Sequence, residues 1–310
     1  MSVNEEQLRS VLPQSNDGKV LAKCWHSYYQ YYQYQDIVNS YNVHIDSVAC
    51  AAQQIVFQLF SQRHRSSKGT FIIVHGYMDH SGLYHHIVRH LLGQGFNVLI
   101  FDKQGHGVSS GERYGINDFS EYAHQLDVLI KHTSAQILDT PFYLIGQSTG
   151  AAVVMEYLLN SVFTIDKRVK QVMLLAPLVR NHRFLMTRVH HYLTRLFIKN
   201  IKRSKSHSSH DPLFLDLINN RDPLGHKYMK ASWIGALMAW EQRFEQYKAC
   251  AMDVRVIQGS DDTTVAWQYN LAAIQQKFTV SEQVVITGAK HNLVNETEHY
   301  REQLYRAMKL

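Results

Sequence analysis

The stretch 142–159 constrains the fold more than any other part of the chain. The apolar run Phe142 to Ile145 is followed without a break by Gly146, Gln147, Ser148, Thr149 and Gly150. Small and apolar residues then continue from Ala151 to Leu159. The first run reads as a short buried strand and the last as an apolar helix, with the pattern G-x-S-x-G in the turn between them. A turn that sharp strains its central residue and holds the side chain out at the sheet edge. Glycines two before and two after let the backbone pass close to its neighbours. The helix N-terminus presents free N–H groups and the positive end of its dipole to any anion formed there. A serine in that place is a candidate nucleophile. Average residue usage gives such a five-residue match roughly 0.05 times in a chain of this length. That weighs against an ordinary glycine turn with a surface serine.

The rest of the chain supplies a sheet around this turn. Apolar runs at 55–60, 70–74, 96–101, 172–176, 254–257 and 283–286 read as strands, and the patterns near 83–93 and 118–132 as helices. The strands 55–60 and 70–74, separated by a polar turn, predict an antiparallel hairpin at the sheet's start. From there the alternation of strand and helix predicts an α/β fold, with a mostly parallel sheet covered by helices on both faces. A length of 310 residues suits one large domain of this kind with an insertion.

The insertion reads as 178–250, where no strand is evident. It begins with a basic stretch containing Arg180, Arg183, Arg188, Arg195, Lys199 and Lys202. Leu185, Val189, Leu193, Phe197 and Ile201 are interleaved at helical spacing. We read it as a helical cap, with 51–177 and 251–310 as the core. Residues 1–50 read as an N-terminal helical extension, its tyrosine-rich run at 28–34 packed on the core.

A nucleophilic serine needs a base, an orienting acid and an oxyanion site. On a sheet of this kind the three side chains come in the order Ser, Asp, His, each after a later strand. Strand 254–257 is followed by Asp261 and Asp262, and strand 283–286 by His291. Among 19 histidines His291 stands out for its place between the last strand and the last helix. Spacing does not choose between Asp261 and Asp262.

With these residues in view, the chain resembles the monoacylglycerol lipase and lysophospholipase branch of the α/β-hydrolases, the group labelled serine aminopeptidase-like. The resemblance covers about 55–180 and 220–305. It rests on the run from His75 to Tyr84, on Asp102 to Arg113 with its Gly105-His106-Gly107 core, and on the serine turn. Gly259, Asp262 and Val265 at their spacing and the run Gly288 to Glu296 complete it. The resemblance implies the α/β-hydrolase fold with a cap and selects Asp262 over Asp261. It places an oxyanion hole at the backbone N–H groups of Tyr77 and Thr149. It implies hydrolysis of carboxylic esters through an acyl-enzyme, of a lipid such as a monoacylglycerol or lysophospholipid, with no cofactor and no metal. A small-ester hydrolase or serine peptidase on the same triad is the alternative. Gln147, Thr149 and Ala151 depart from the His, Met and Gly usual around this serine, which bears on substrate preference more than on catalysis.

Other readings are weaker. Gly105, Gly107 and Gly111 give G-x-G-x-x-x-G with no apolar helix behind them, which is not a dinucleotide fingerprint. His80, His85, His86 and His90 lack the acidic residue of H-E-x-x-H and read as a polar helix face. A non-enzymatic binding module is disfavoured because all three triad positions are filled. The formal charge of +6 admits acidic partners. The stretch 180–205 lacks an aromatic platform for nucleic acid, so no nucleic acid is expected. An anionic membrane surface or plain solvent fits that stretch equally. Cys24, Cys50 and Cys250 are too few and too far apart for a disulfide framework and read as three buried thiols. With no signal-like N-terminus and no run of 18 apolar residues, the reading is cytoplasmic, with peripheral membrane contact left open.

Overall fold

The computed structural model describes residues 3–17, 20–64, 66–136 and 141–310. The strands are β1 (Gln14–Ser15), β2 (Asn42–Cys50), β3 (Gln53–Ser61), β4 (Thr70–Val74), β5 (Asn97–Phe101), β6 (Phe142–Gln147), β7 (Val169–Leu175), β8 (Asn200–Lys202), β9 (Tyr228–Lys230), β10 (Cys250–Gly259) and β11 (Phe278–Ile286). The helices are α1 (Glu5–Ser10), α2 (Lys23–Tyr31), α3 (Gln35–Ser40), α4 (His85–Gly93), α5 (Phe119–Gln136), α6 (Thr149–Leu159), α7 (Phe184–Thr194), α8 (Pro212–Asp216), α9 (Ala231–Gln246), α10 (Trp267–Gln275) and α11 (Glu298–Met308).

The described residues form a nine-stranded sheet in the order β1-β2-β3-β5-β4-β6-β7-β10-β11. From β5 to β11 every pairing is parallel. The central strands β4 and β5 are buried along their whole length and largely apolar because both their faces are covered. Along β4, Ile72 and Val74 enter a core with α5, α6, α9 and α10, while Phe71 and Ile73 enter one with α2, α4 and α11. Each such side chain contributes about 1.5–3 kcal/mol on burial. The chain leaves β4 for β5 on one side and β6 on the other, so a crevice opens at their C-terminal ends.

Three sequence expectations are corrected. β3 and β4 do not form a hairpin: β3 pairs antiparallel with β2 and β5, while β4 lies parallel between β5 and β6. The chain crosses from the end of β3 to the start of β4 instead of turning back, which lets the fully buried β4 reach the sheet centre. Residues 1–50 are not all helical, since β1 and β2 join the sheet. In β2 only Val43, Ile45 and Cys50 are buried, and polar residues between them blur the alternation. The insertion 178–250 contains β8 and β9, an antiparallel pair too short and polar to leave a periodic signal. Residues 1, 2, 18 and 19 of the N-terminal extension lie outside the described residues. The tyrosine-rich run does bury Tyr28, Tyr29, Tyr32 and Tyr34 against the sheet. The three thiols are unpaired, with Cys50 buried and Cys24 and Cys250 only partly so.

A buried ion pair ties the insertion to the core. His80 Nε2 lies 3.0 Å from Asp222 Oδ2, and Tyr32 Oη donates to Asp222 Oδ1 at 2.7 Å. Burial alone would lower the His80 imidazole, but the Asp222 charge and hydrogen bond outweigh it and raise it. Burial would raise Asp222, and the same contacts hold it below the usual carboxylate range. The His80 contribution to stability is complete below the unfolded imidazole value and lost as pH rises through the raised folded value. The Asp222 contribution is complete above the unfolded carboxylate value and lost as pH falls through the depressed one. The pair therefore stabilises most between about pH 4 and pH 6.5. Asp222→Asn leaves His80 buried without its counter-charge and should cost about 3 kcal/mol in that window. Thermal melts of both proteins from pH 4 to pH 9 should show a gap that narrows toward alkaline pH; a gap independent of pH would refute the ionic account.

Candidate active site

The turn between β6 and α6 is made by one residue, Ser148, with φ 56° and ψ −115°. That conformation is sparsely populated for any residue but glycine, and the surroundings must enforce it. The Ser148 N–H donates to the Leu175 carbonyl at 2.8 Å, and the Ser148 carbonyl accepts from Ala151 N at 3.0 Å. A Cβ on Gly150 would run into the Val74 carbonyl, and one on Gly146 into the Ala151 backbone. The two glycines thus let α6 start directly against the end of β4.

Three side chains from three strand ends meet here. His291 Nε2 lies 2.8 Å from Ser148 Oγ, and His291 Nδ1 lies 2.7 Å from Asp262 Oδ2. The Asp262 carboxylate holds the proton on Nδ1, which leaves Nε2 free to accept from the serine hydroxyl. Asp262 also accepts from Thr264 N, Val265 N and Gln258 Nε2 at 2.8, 3.1 and 3.0 Å. Asp261 is exposed, and among the described residues its carboxylate accepts only from the neighbouring Ser260 hydroxyl. Burial would lower His291, but the charge and hydrogen bond of Asp262 outweigh it and raise the imidazole. Burial would raise Asp262, and His291 with the other donors holds it low.

The loop after β4 faces this chain of hydrogen bonds. Tyr77 and Thr149 line the same cavity as Ser148. Thr149 opens α6, so its N–H has no carbonyl one turn earlier to bond. The Tyr77 ring stacks on Trp233 of α9 at 3.8 Å, and its Oη donates to the Tyr114 carbonyl at 2.9 Å. Behind the loop lies Lys103, fully buried, whose Nζ donates to the carbonyls of His75 and Gly76. Burial pushes its ammonium well down. Asp102 accepts from Ser81 N and Val108 N, both at 2.7 Å. The glycine-rich stretch 105–111 is thus a brace for the loop.

Several supporting residues had no sequence signal of their own. Gln147 Nε2 donates to the His291 carbonyl at 2.9 Å, fixing the backbone of the base. Gln258, inside β10, orients Asp262. Lys103 was visible only as a residue following a strand. The histidines near α4 work apart: His80 bonds Asp222, His90 stacks on Tyr305 at 3.8 Å, and His85 lies against His86.

Ser148 and His291 line a cavity of about 560 Å³. Its apolar lining includes Leu178, Trp233, Ile234, Leu237 and Val265, and its polar lining includes the segment 203–208, Asp79, Asn181, Thr264 and Asn292. No helix among the described residues is long and apolar enough to cross a membrane.

A family model described as serine aminopeptidase, S33, matches residues 65–298. The monoacylglycerol lipase of Mycolicibacterium smegmatis is 31% identical over 90 residues, which are 29% of this chain and 32% of that protein. The monoglyceride lipase of Homo sapiens is 32% identical over 123 residues, 39% of this chain and 37% of that one. The matched segment thus spans about a third of the length of these curated relatives. In solved structures, a soluble variant of monoglyceride lipase from Saccharomyces cerevisiae, in complex with a substrate analog, superposes with a TM-score of 0.73. It covers 85% of this chain and 92% of its own at 16% identity, a likeness of fold.

The geometry predicts how His291 titrates. Asp262→Asn removes the charge that raises it and leaves burial, so the imidazole value should fall below its usual range, while Asp261→Asn should leave it in place. Imidazole resonances followed by NMR against pH check both; equal responses to the two substitutions would refute the assignment.

Proposed function

The chain belongs to the serine aminopeptidase (S33) family and has the α/β-hydrolase fold, and on that premise we propose that it hydrolyses carboxylic esters of lipids, monoacylglycerols or lysophospholipids, through an acyl-enzyme. The observation that carries this reading is the unbroken hydrogen-bond chain Ser148–His291–Asp262 opening on a largely apolar cavity. Ser148 Oγ attacks the ester carbonyl carbon while its proton passes to His291 Nε2. The carbonyl oxygen becomes an oxyanion held by the N–H groups of Tyr77 and Thr149, each such donor contributing about 3 kcal/mol to the transition state. The tetrahedral centre collapses, the C–O bond breaks, and His291 gives its proton to the departing alcohol. Water then attacks the acyl-Ser148 ester and yields its proton to His291. The second collapse releases the carboxylic acid and returns the proton to Ser148. Asp262 orients the imidazole and stabilises it when charged.

The segment 178–250 serves as the cap over this cavity. Its α7 and the turn that follows show apolar side chains to solvent, with Leu193 67% and Phe197 84% exposed among Arg183, Arg188 and Arg195. Exposed apolar area bordered by cations fits the interface of an anionic membrane, where the substrate lies. The peptidase alternative needs a carboxylate for the substrate's amino group. Among the described residues Asp79 is the only carboxylate lining the cavity, and it is engaged by Tyr84 Oη at 3.1 Å. The unpaired thiols fit a reducing compartment, the cytoplasm.

A fluorophosphonate probe should label the wild type and fail to label Ser148→Ala. Turnover of p-nitrophenyl esters should rise with acyl length and fall about a thousandfold or more in the variant. Short-chain preference would favour a small ester, and a folded wild type that takes no label would sink the hydrolase reading. Separately, Leu193→Glu with Phe197→Glu should weaken sedimentation with anionic vesicles while p-nitrophenyl butyrate turnover persists; unchanged sedimentation would remove the membrane face.

A further inference from the structure

The cap presents a basic, hydroxyl-rich edge to the reacting groups, and the proposed mechanism makes no use of it. Segment 203–208 reads Arg-Ser-Lys-Ser-His-Ser, and all six residues line the cavity that holds Ser148. The segment is held at both ends. Arg203 N donates to the Lys227 carbonyl at 2.9 Å, and the Ser208 carbonyl accepts from Asn292 N at 2.8 Å. In its middle, Ser206 N donates to Asn219 Oδ1 at 2.8 Å and Ser206 Oγ donates to Ser208 Oγ at 2.8 Å. Its position is therefore set by the folded chain, and it abuts Asn292, next in sequence to His291.

Charge is unbalanced there. Arg203 is half-buried, yet among the described residues its guanidinium donates only to the Ile218 carbonyl, at 3.5 Å. A second cavity of about 330 Å³ adjoins the first and shares Arg203, Ser204 and Lys205; it adds Lys202, Lys227 and His226. Among the described residues, no carboxylate lies within ion-pair distance of Arg203, Lys205, Lys202 or Lys227. The two acids nearby are occupied: Asp222 by His80 and Tyr32, Asp79 by Tyr84. Arg203 is half-buried with the exposed Lys202, Lys205 and Lys227 around it; such a cluster of cations outside any ion pair favours an anionic guest, and a guanidinium with neighbouring hydroxyls matches a phosphate.

His291 is the group that protonates the departing alcohol, so what packs beside it faces the alcohol half of the ester. The acyl half has the apolar lining of Leu178, Ile234 and Leu237. We propose that Arg203, with Lys205 and the hydroxyls of 204–208, forms a subsite for a phosphate carried on the alcohol portion of the substrate, so that the preferred ester is an anionic lysophospholipid over a neutral monoacylglycerol. This assignment rests on the hydrolase reading above.

The test compares 1-oleoyl lysophosphatidic acid with 1-oleoylglycerol as substrates, each below its micelle concentration, with fluorophosphonate labelling run alongside. The wild type should give the higher kcat/KM with the phosphate ester. Arg203→Gln should cut the ratio of the two kcat/KM values about tenfold to hundredfold, and Lys205→Gln should cut it less. Labelling retained in both variants verifies that they are folded and reactive. A wild-type ratio at or below one, or a ratio unmoved by either substitution while labelling persists, overturns the subsite and leaves the hydrolase reading standing. Absence of labelling and turnover in the wild type overturns both. If inorganic phosphate changes turnover of the neutral ester in the wild type and not in Arg203→Gln, while the wild type shows no phosphate-ester preference, the site takes a free anion and the assignment to substrate fails.

Discussion

The site depends on one close approach, that of the β6–α6 turn to the end of β4. With hydrogen alone at the Gly150 Cα, the first turn of α6 presses on the Val74 carbonyl. That contact brings Ser148, strained in its backbone, beside the loop that continues from β4, so that Ser148 and Tyr77 line one cavity. Topology makes the approach available, because β5 and β6 depart to opposite sides of β4. A larger residue at 150 would separate the serine from the loop even if every other side chain kept its place.

Around that contact the protein uses buried polar groups with each one's partner specified. Lys103 holds the carbonyls of His75 and Gly76 from behind, Gln147 holds the carbonyl of His291, and Gln258 holds Asp262. Such groups are costly to bury unpaired and rigidifying when paired. Two His–Asp pairs show how surroundings divide similar chemistry. His291 turns its second ring nitrogen to a serine hydroxyl in a cavity, whereas His80 Nδ1 accepts from Gly82 N at 3.2 Å inside the fold. The first has the place the proposed mechanism gives to the proton carrier, and the second closes the insertion onto the loop that carries Tyr77.

The insertion has two different surfaces. Its outer helix shows apolar side chains to solvent, while its inner segment lines the cavity with cations and hydroxyls. A soluble ester of small size has no need of the first, and a neutral lipid has no need of the second. Together they suit the proposed substrate, with its long apolar part and charged end.

Ser148 and His291 were legible because their signals are local: a motif in a strand–turn–helix setting, and a histidine after the last strand. Choosing between Asp261 and Asp262 needed either family resemblance or coordinates, since adjacent residues share the same spacing and only their side-chain directions differ. The hairpin expected from β3 and β4 failed because strand pairing is a long-range choice that two apolar runs and a turn do not encode. β2, β8 and β9 escaped notice because half-solvated or three-residue strands leave little periodicity. The sequence by itself determined the elements, their alternation and the glycines that permit the turn, since these follow from local sterics and from burial on two faces. Only the tertiary structure decided that Gln147 meets the His291 backbone, that Gln258 meets Asp262, that Lys103 backs the loop after β4, that Asp222 answers His80 across the chain, and that the cations of 203–205 line the cavity that holds Ser148. Those relations join residues far apart in the chain, and folding alone brings their charges and hydrogen-bonding groups within reach.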